Sequence, residues 1–459
     1  MDTPASGTAP SLLPTGAAVR RASFAVFAVF FACGWAFGSW AARLPAVRDG
    51  LSLRPDQMGI LLLVASVGSL LSLPMSGLVV QKVGVRRTIG VGAVGYAVSM
   101  AIVVVGVQLG ALWLVVPPLP LLGVFIGIWD AAMNLEGAAV EQRMGRTVMP
   151  RYHAGFSLGT VTAAGVAAVL AELHVPVAVH LSAAQGLSVV TVLVALRRFV
   201  RPAPAQSVPD GQQKPQAPSG RRSVFAAWTE RRTLFVGLVV LGAALAEGAA
   251  NDWLSLAVVD GFATSDALGA AGFGLFVAAM TGARFVGTGF VDRWGRVPVL
   301  RMSAVVALAG LSVFVLAGPL WLALVGVMVW GLGAALGFPV GMSAAADDPE
   351  QAPARVAVVA TLGYTAFLAG PPLLGLIAEH VGYRTTLAVV AVPVVVGLVL
   401  SRAVAPLDRA VDSPVDSPVD SPVDSPAEQP AEDQRAGRSD DRADHGADER
   451  GDDAGDVLL

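Results

Sequence analysis

The chain has 459 residues, 54% hydrophobic and 14% charged, with a mean hydropathy of +0.66. Soluble domains carry about 25% charged residues, so an ordinary soluble globule, a disordered chain and a disulfide-rich scaffold are excluded. The formal net charge of −3 divides unevenly: residues 403–459 hold 16 acids against 5 arginines (−11), and residues 1–402 hold 26 cations against 18 acids (+8).

Residues 1–21 are polar, rich in Pro, Gly, Ser and Thr, and read as a disordered cytoplasmic N-terminus ending in Arg20 and Arg21. The apolar stretch 22–45 is longer than the h-region of a secretory signal and reads as a first spanning helix with Pro45 near its outer end. Eleven more apolar segments follow, over 57–80, 87–108, 112–141, 153–173, 176–197, 233–257, 267–290, 298–317, 319–343, 355–377 and 385–402. Each approaches the ~20 residues that cross a bilayer as a helix. Open sheets do not survive in lipid, and runs this long are not barrel strands. The expected fold is an all-α membrane protein with twelve transmembrane helices in two pseudo-symmetric six-helix bundles, 22–197 and 233–402. A Pro-rich cytoplasmic linker, 198–232, joins them. The acidic tail, 403–459, carries four tandem Val-Asp-Ser-Pro units over 411–426. Such a segment buries too little apolar surface to fold, and it reads as a solvated, disordered cytoplasmic tail. The single Cys33 can form no internal disulfide and reads as a packing residue.

Orientation follows from lysine and arginine. With the N-terminus inside, one side of the membrane collects 18 cations, among them Lys82, Arg86 and Arg87 after the second helix and Arg293 and Arg296 after the eighth. The other side holds only Arg43, Arg48, Arg54 and Arg384. The positive-inside rule then puts both termini in the cytoplasm, for a multi-pass protein of the plasma (cytoplasmic) membrane. The basic clusters are short and lie between apolar runs, which suits anionic lipid headgroups and not nucleic acid.

The two halves echo each other. Gly84-Val85-Arg86 has a counterpart in Gly295-Arg296-Val297 at an offset of 211, and Ser39-Trp40 in Asp252-Trp253 at an offset of 213. A duplicated six-helix unit of this kind marks transporters that rock one half against the other. The twelve helices, the six-plus-six division and the charged loops resemble the major facilitator superfamily. Its loop motif is matched by Asp292-Arg293-Trp294-Gly295-Arg296 and, with Gln81 in place of the usual acid, by Gly77 through Arg87. Three further segments are similar to the fucose-permease-like branch: Trp129 to Asn134, Tyr152 to Gly159, and Ala369 to Gly375. The resemblance implies alternating access, with the two loops latching an outward-open state. Sugar–proton symporters of that branch use acids in helices 1 and 4, whereas this chain has acids in helix 4 and none in helix 1.

Ionisable residues at membrane depth are costly and are functional candidates by default. Asp130 lies mid-helix 4, with Asn134 one turn on along the same face, and Glu136 lies further toward the cytoplasmic end. Glu247, Asn251 and Asp252 lie on helix 7, where Gly242 and Gly248 permit a bend. These six are the proton-coupling or substrate candidates. The bland alternatives are a cap for Asp130, a loop ion pair for Glu136 and a solvated mouth position for Asp252. Trp35 and Ser39, one turn apart on helix 1, and Tyr364 on helix 11 are candidates to line the substrate path, and interfacial tryptophans are the plain alternative. Lys82, Arg86, Arg87, Arg284, Asp292, Arg293 and Arg296 are the gating candidates. Arg284 can neutralise Glu247, meet an anionic solute or pair in a gate. Arg43 reads as a snorkelling residue, and His153 as a helix-start residue or a proton relay near Glu141.

No phosphate-binding Gly-Lys-Ser/Thr loop, nucleophile elbow or Cys/His metal spacing is present in the sequence. The expected protein is therefore no enzyme, has no catalytic residues, metal or cofactor, and works as a monomer on a small-molecule substrate and protons. The reading is a proton-coupled secondary transporter of a small polar, sugar-like or metabolite solute. Efflux of amphipathic drugs or metabolites is the alternative on the same fold, and a membrane sensor or scaffold the alternative of another class.

Overall fold

A computed structural model describes residues 16–146, 148–199, 226–348 and 351–407. The tail beyond 407, the middle of the linker and residues 1–15 lie outside the described residues, and with them most of the segments read as disordered. Every regular element among the described residues is helical. Twelve helices are long and apolar enough to cross a membrane. In the first half they are α1 (Gly16–Ala41), α2 (Pro55–Val83), α3 (Val85–Gln108), α4 (Pro118–Met144), α5 (Met149–Glu172) and α6 (Val177–Leu196). In the second half they are α7 (Arg231–Gly261), α8 (Asp266–Trp294), α9 (Arg296–Leu316), α10 (Leu320–Ala345), α11 (Ala352–Val381) and α12 (Tyr383–Val404).

The expected helices are present, with boundaries that differ where proline and glycine act. α1 begins at Gly16, inside the segment read as a disordered N-terminus, and ends at Ala41. Pro45 lies not at its outer end but in the first turn of a separate short helix, Leu44–Gly50. A first-turn N–H has no helical partner to lose, so proline is tolerated there. The apolar run 112–141 is likewise divided, into a turn at Leu112–Val115 and α4, which opens at Pro118. α10 is interrupted between Ala334 and Gly337, and α12 contains two short 3₁₀ stretches.

The duplication is visible in the backbone. Gly84 and Gly295 each separate two helices by a single residue, with φ of +85° and +80°. An L side chain is strained there, which is the physical content of the repeated glycine. Trp40 and Trp253, the other echoed pair, are both buried.

Within the first half α1 packs on α5 and α6, α2 on α4, and α3 on α4 and α6; within the second, α7 packs on α11 and α12, and α9 on α10. Small residues permit close backbone approach, as usual between membrane helices. At the α1–α5 contact the Thr160 hydroxyl donates to the Gly34 carbonyl at 3.1 Å. The halves meet through α2 against α11 and α5 against α8.

The two ends of the molecule differ. We call the end bearing the α2–α3 and α8–α9 loops the basic face, and the other the opposite face. Among the described residues, every hydrogen bond and ion pair joining the halves lies at the opposite face. Arg48 meets Asp260 at 2.5 Å and lies 5.6 Å from the Tyr383 ring centroid. Arg54 approaches Glu379 at 3.8 Å, and the Ser255 hydroxyl donates to the Ala41 carbonyl at 3.3 Å. A Cβ placed on Gly59 would lie 2.6 Å from the Pro371 carbonyl oxygen, so α2 and α11 touch backbone to backbone.

Candidate functional site

A cavity of about 460 Å³ lies between the halves. Trp40, Ala41 and Leu44 line it where the chain closes toward the opposite face. Its polar lining comes from Asp130 on α4, Asn251 and Asp252 on α7, Tyr364 on α11, and Ser66 and Ser69 on α2. Aromatic surface comes from Phe37, Trp40, Tyr96, Phe156 and Phe367. A second cavity, of about 310 Å³, is lined by Asp130, His153, Thr281, Arg284 and Phe285. Asp130 and Phe156 border both, so Asp130 stands where the central space continues toward the basic ends of α5 and α8.

Helix geometry explains the placement on α4. The Asn134 amide, one turn on, donates to the Asp130 carbonyl at 2.9 Å and to its carboxylate at 3.3 Å. Asn134 therefore holds the carboxylate and does not itself border the main cavity. Glu136 is buried further along, and its Oε1 has no partner among the described residues; it borders neither cavity. On α7, Glu247 accepts a 2.7 Å ion-pair hydrogen bond from Arg284 of α8, and Arg284 also donates to the Ala335 carbonyl at the break in α10, at 3.1 Å. That pair joins three helices of one half. Asn251 and Asp252, four and five residues on, border the main cavity instead.

Other sequence candidates have different surroundings. The Trp35 indole donates to the Ala184 carbonyl on α6 at 3.1 Å, and Ser39 is fully buried; neither lines the cavity. Their face of α1 packs into the first half, and it is Phe37 and Trp40 that face inward. Arg43 does not snorkel: it is 4% exposed and donates to the Val175 carbonyl between α5 and α6 at 2.9 Å. His153 has no hydrogen bond to Glu141. The Glu141 carboxylate accepts the Val148 and Met149 N–H groups at 2.6 and 2.7 Å, capping the start of α5, while His153 sits edge-on to Phe30 at 5.3 Å and borders the second cavity.

The gating candidates separate into two groups. Arg296 pairs with Asp347 at 2.6 Å and donates to the Ser343 hydroxyl at 3.0 Å. Lys82, Arg86, Arg87, Asp292 and Arg293 are exposed and make no ion pair among the described residues. Arg296 thereby joins a basic-face network whose other members are not among the sequence candidates. Asp347 also receives Arg232 at 2.8 Å, and the buried Arg355 meets Glu230 at 2.8 Å and Asp348 at 3.3 Å. Burial would raise the Glu230 carboxyl, but hydrogen bonds from Arg355 and Thr233 outweigh it and hold the group below its ordinary range. The cavity aromatics Phe37, Phe156 and Phe367 were also missed. In helices apolar on every face, periodicity does not distinguish a cavity-facing aromatic from a lipid-facing one.

The sequence matches the Major Facilitator Superfamily over residues 22–348 and 254–431. It is 31% identical over 367 residues to "Uncharacterized transporter y4wD" of Sinorhizobium fredii, covering 78% of this chain and 92% of that protein. Among solved structures it is similar to the nucleoside transporter NupG, with a TM-score of 0.65 at 17% identity, covering 83% of this chain and 98% of the other. It is also similar to a variant of the E. coli fucose:proton symporter FucP, with a TM-score of 0.56 at 16% identity and the same coverage. At these identities the solved structures show a shared fold.

Proposed function

The chain belongs to the Major Facilitator Superfamily, and we propose that it is a proton-coupled secondary transporter of a small polar solute, working by alternating access. Membership makes it a multi-pass membrane transporter and not an enzyme. The observation that carries the finer reading is the inter-half cavity, joined shut at one face, with the carboxylate of Asp130 at its junction with the space beyond. The positive-inside rule assigns the basic face to the cytoplasm, which puts the hydrogen bonds and ion pairs joining the halves on the outer side, in a plasma membrane with both termini inside.

In this cycle the solute and the coupling proton both use the cavity. Asp130 takes up or releases the proton, with Asn134 steadying the carboxylate. The halves then rock about the site: the contacts of Arg48, Arg54 and Gly59 part at the opposite face while α5 and α8 approach at the basic face. Asp130, Asp252, Asn251 and Tyr364 are the residues to touch solute. The similarity of Trp129–Asn134 to the fucose-permease-like branch supports a helix 4 acid in this role. The Glu247–Arg284 pair holds the second half together, a positioning role.

The test is solute-driven proton movement in proteoliposomes containing a pH-sensitive dye, with a panel of sugars, nucleosides and amines. Wild type moves protons with its solute and accumulates it against a gradient. Asp130→Asn loses uphill accumulation and retains exchange at raised solute concentration. Uphill accumulation by Asp130→Asn would reject that residue as the coupling site.

A further inference from the structure

The main cavity has a charge pattern that narrows its occupant. Two carboxylates line it, Asp130 from the first half and Asp252 from the second, and no Lys, Arg or His does. Asp130 has its own-helix neighbour Asn134 as its side-chain partner, and Asp252 makes no hydrogen bond or ion pair among the described residues. Both keep acceptor capacity toward the space between them. The contrast with Glu247 is direct, since that acid is matched by Arg284 at 2.7 Å.

Two unmatched carboxylates in one membrane-embedded cavity repel an anionic solute and favour positive charge, because desolvated charge is costly until paired. Protons alone satisfy the charge but not the space. A volume of about 460 Å³ falls in the range that holds small organic molecules. The lining completes the pattern: Phe37, Trp40, Phe367 and the Tyr364 ring surround the acids, and aromatic faces attract organic cations. Ser66, Ser69 and Asn251 add groups able to bond hydroxyls.

We propose that the solute is a small organic cation, a protonated amine on a compact hydroxylated or aromatic body, held between Asp130 and Asp252. This rests on the transport reading and names its substrate class. One carboxylate on each half also gives the cation a mechanical role. It attracts both halves to one point, so its binding favours the occluded form over either open form.

The experiment uses the full-length protein in nanodiscs and matched pairs differing in charge: glucosamine with glucose and N-acetylglucosamine, and phenethylamine with phenethyl alcohol. Thermal stabilisation reads binding to the folded state, and proteoliposome flux of the same compounds reads transport. The expected result is stabilisation by an amine and none by its uncharged partner. Asp130→Asn and Asp252→Asn each weaken that binding at least ~10-fold, equivalent to ~1.4 kcal/mol, while their ligand-free melting temperatures stay close to wild type. If either variant melts early, Asp130→Glu or Asp252→Glu, which keeps the charge, must retain amine preference. Equal binding of charged and uncharged partners, or absence of stabilisation by both amines, overturns the cation assignment. Proton-coupled flux of an uncharged sugar or nucleoside would overturn it too, while leaving the transport reading intact. Absence of any solute-driven proton flux across the wider panel would instead sink the transport reading.

Discussion

The opposite face and the basic face are built from the same kinds of residue, arranged differently. At the opposite face, Arg48 and Arg54 of the first half reach acids of the second, Asp260 and Glu379. At the basic face, Arg232, Arg296 and Arg355 are matched to Asp347, Asp348 and Glu230 within the second half alone. The first half has exposed Lys82, Arg86 and Arg87 with no such match among the described residues. Charges that cross between halves join them at one face, and charges kept inside one half tie its helices to one another. The two arrangements fall to opposite ends of the molecule.

Perturbing the shut face at its tightest backbone contact tests this most severely. Gly59→Leu places side-chain atoms where a Cβ alone would lie 2.6 Å from the Pro371 carbonyl oxygen. Overpacking of this kind costs about 3 kcal/mol, enough to part α2 from α11. Spin labels on the two halves at the opposite face should report a shift toward longer distances. An unchanged distance distribution would remove this contact from the gate.

Next in size is the basic-face network. Glu230→Gln leaves the buried Arg355 with Asp348 as its remaining acid, and should cost about 2 kcal/mol, less than loss of a buried charge's sole partner. A melt of the purified protein reads this, and pH sharpens it. The folded Glu230 carboxyl is held below its ordinary value of 4.5, so its stabilisation is complete above that value and is lost as pH falls through the lower, folded one. Wild type should lose melting temperature below about pH 4.5 more steeply than Glu230→Gln. Parallel slopes would show that Glu230 contributes nothing to the loss.

Arg48→Ala is smaller, about 1 kcal/mol, because Asp260 is part-exposed and such pairs are weak. It should shift the same spin-label distances by a fewfold change in population and leave the melting temperature nearly unchanged. The charge-swapped double variant, Arg48→Asp with Asp260→Arg, should restore the wild-type distribution. Least of all, Arg86→Ala with Arg87→Ala should change stability by under about 0.5 kcal/mol, as usual for exposed positions. A large loss of stability there would mean that the first half has a basic-face network after all.

Part of the lining of the candidate site is legible in the sequence. Asp130, Asn251, Asp252 and Tyr364 stood out because an ionisable or polar residue is conspicuous in an apolar run, and all four border the main cavity. Trp35 and Ser39 were conspicuous for the same reason, yet face α6 and the interior of the first half. Conspicuousness marks a polar atom that needs a partner. It does not say whether that partner is a solute or a carbonyl such as that of Ala184.

The sequence by itself determined the twelve spans, the duplicated glycine turns and the basic face. Each depends on local composition: enough apolar residues to match a bilayer, a residue free to take positive φ, and clusters of cations between apolar runs. Only the tertiary structure decided which acid is neutralised and which remains unmatched, which aromatics face the cavity, and which end is shut. Those depend on residues far apart in the chain, Arg284 with Glu247, Arg48 with Asp260 and Gly59 with Pro371. In helices apolar on every side, no periodicity records the neighbour each face will meet.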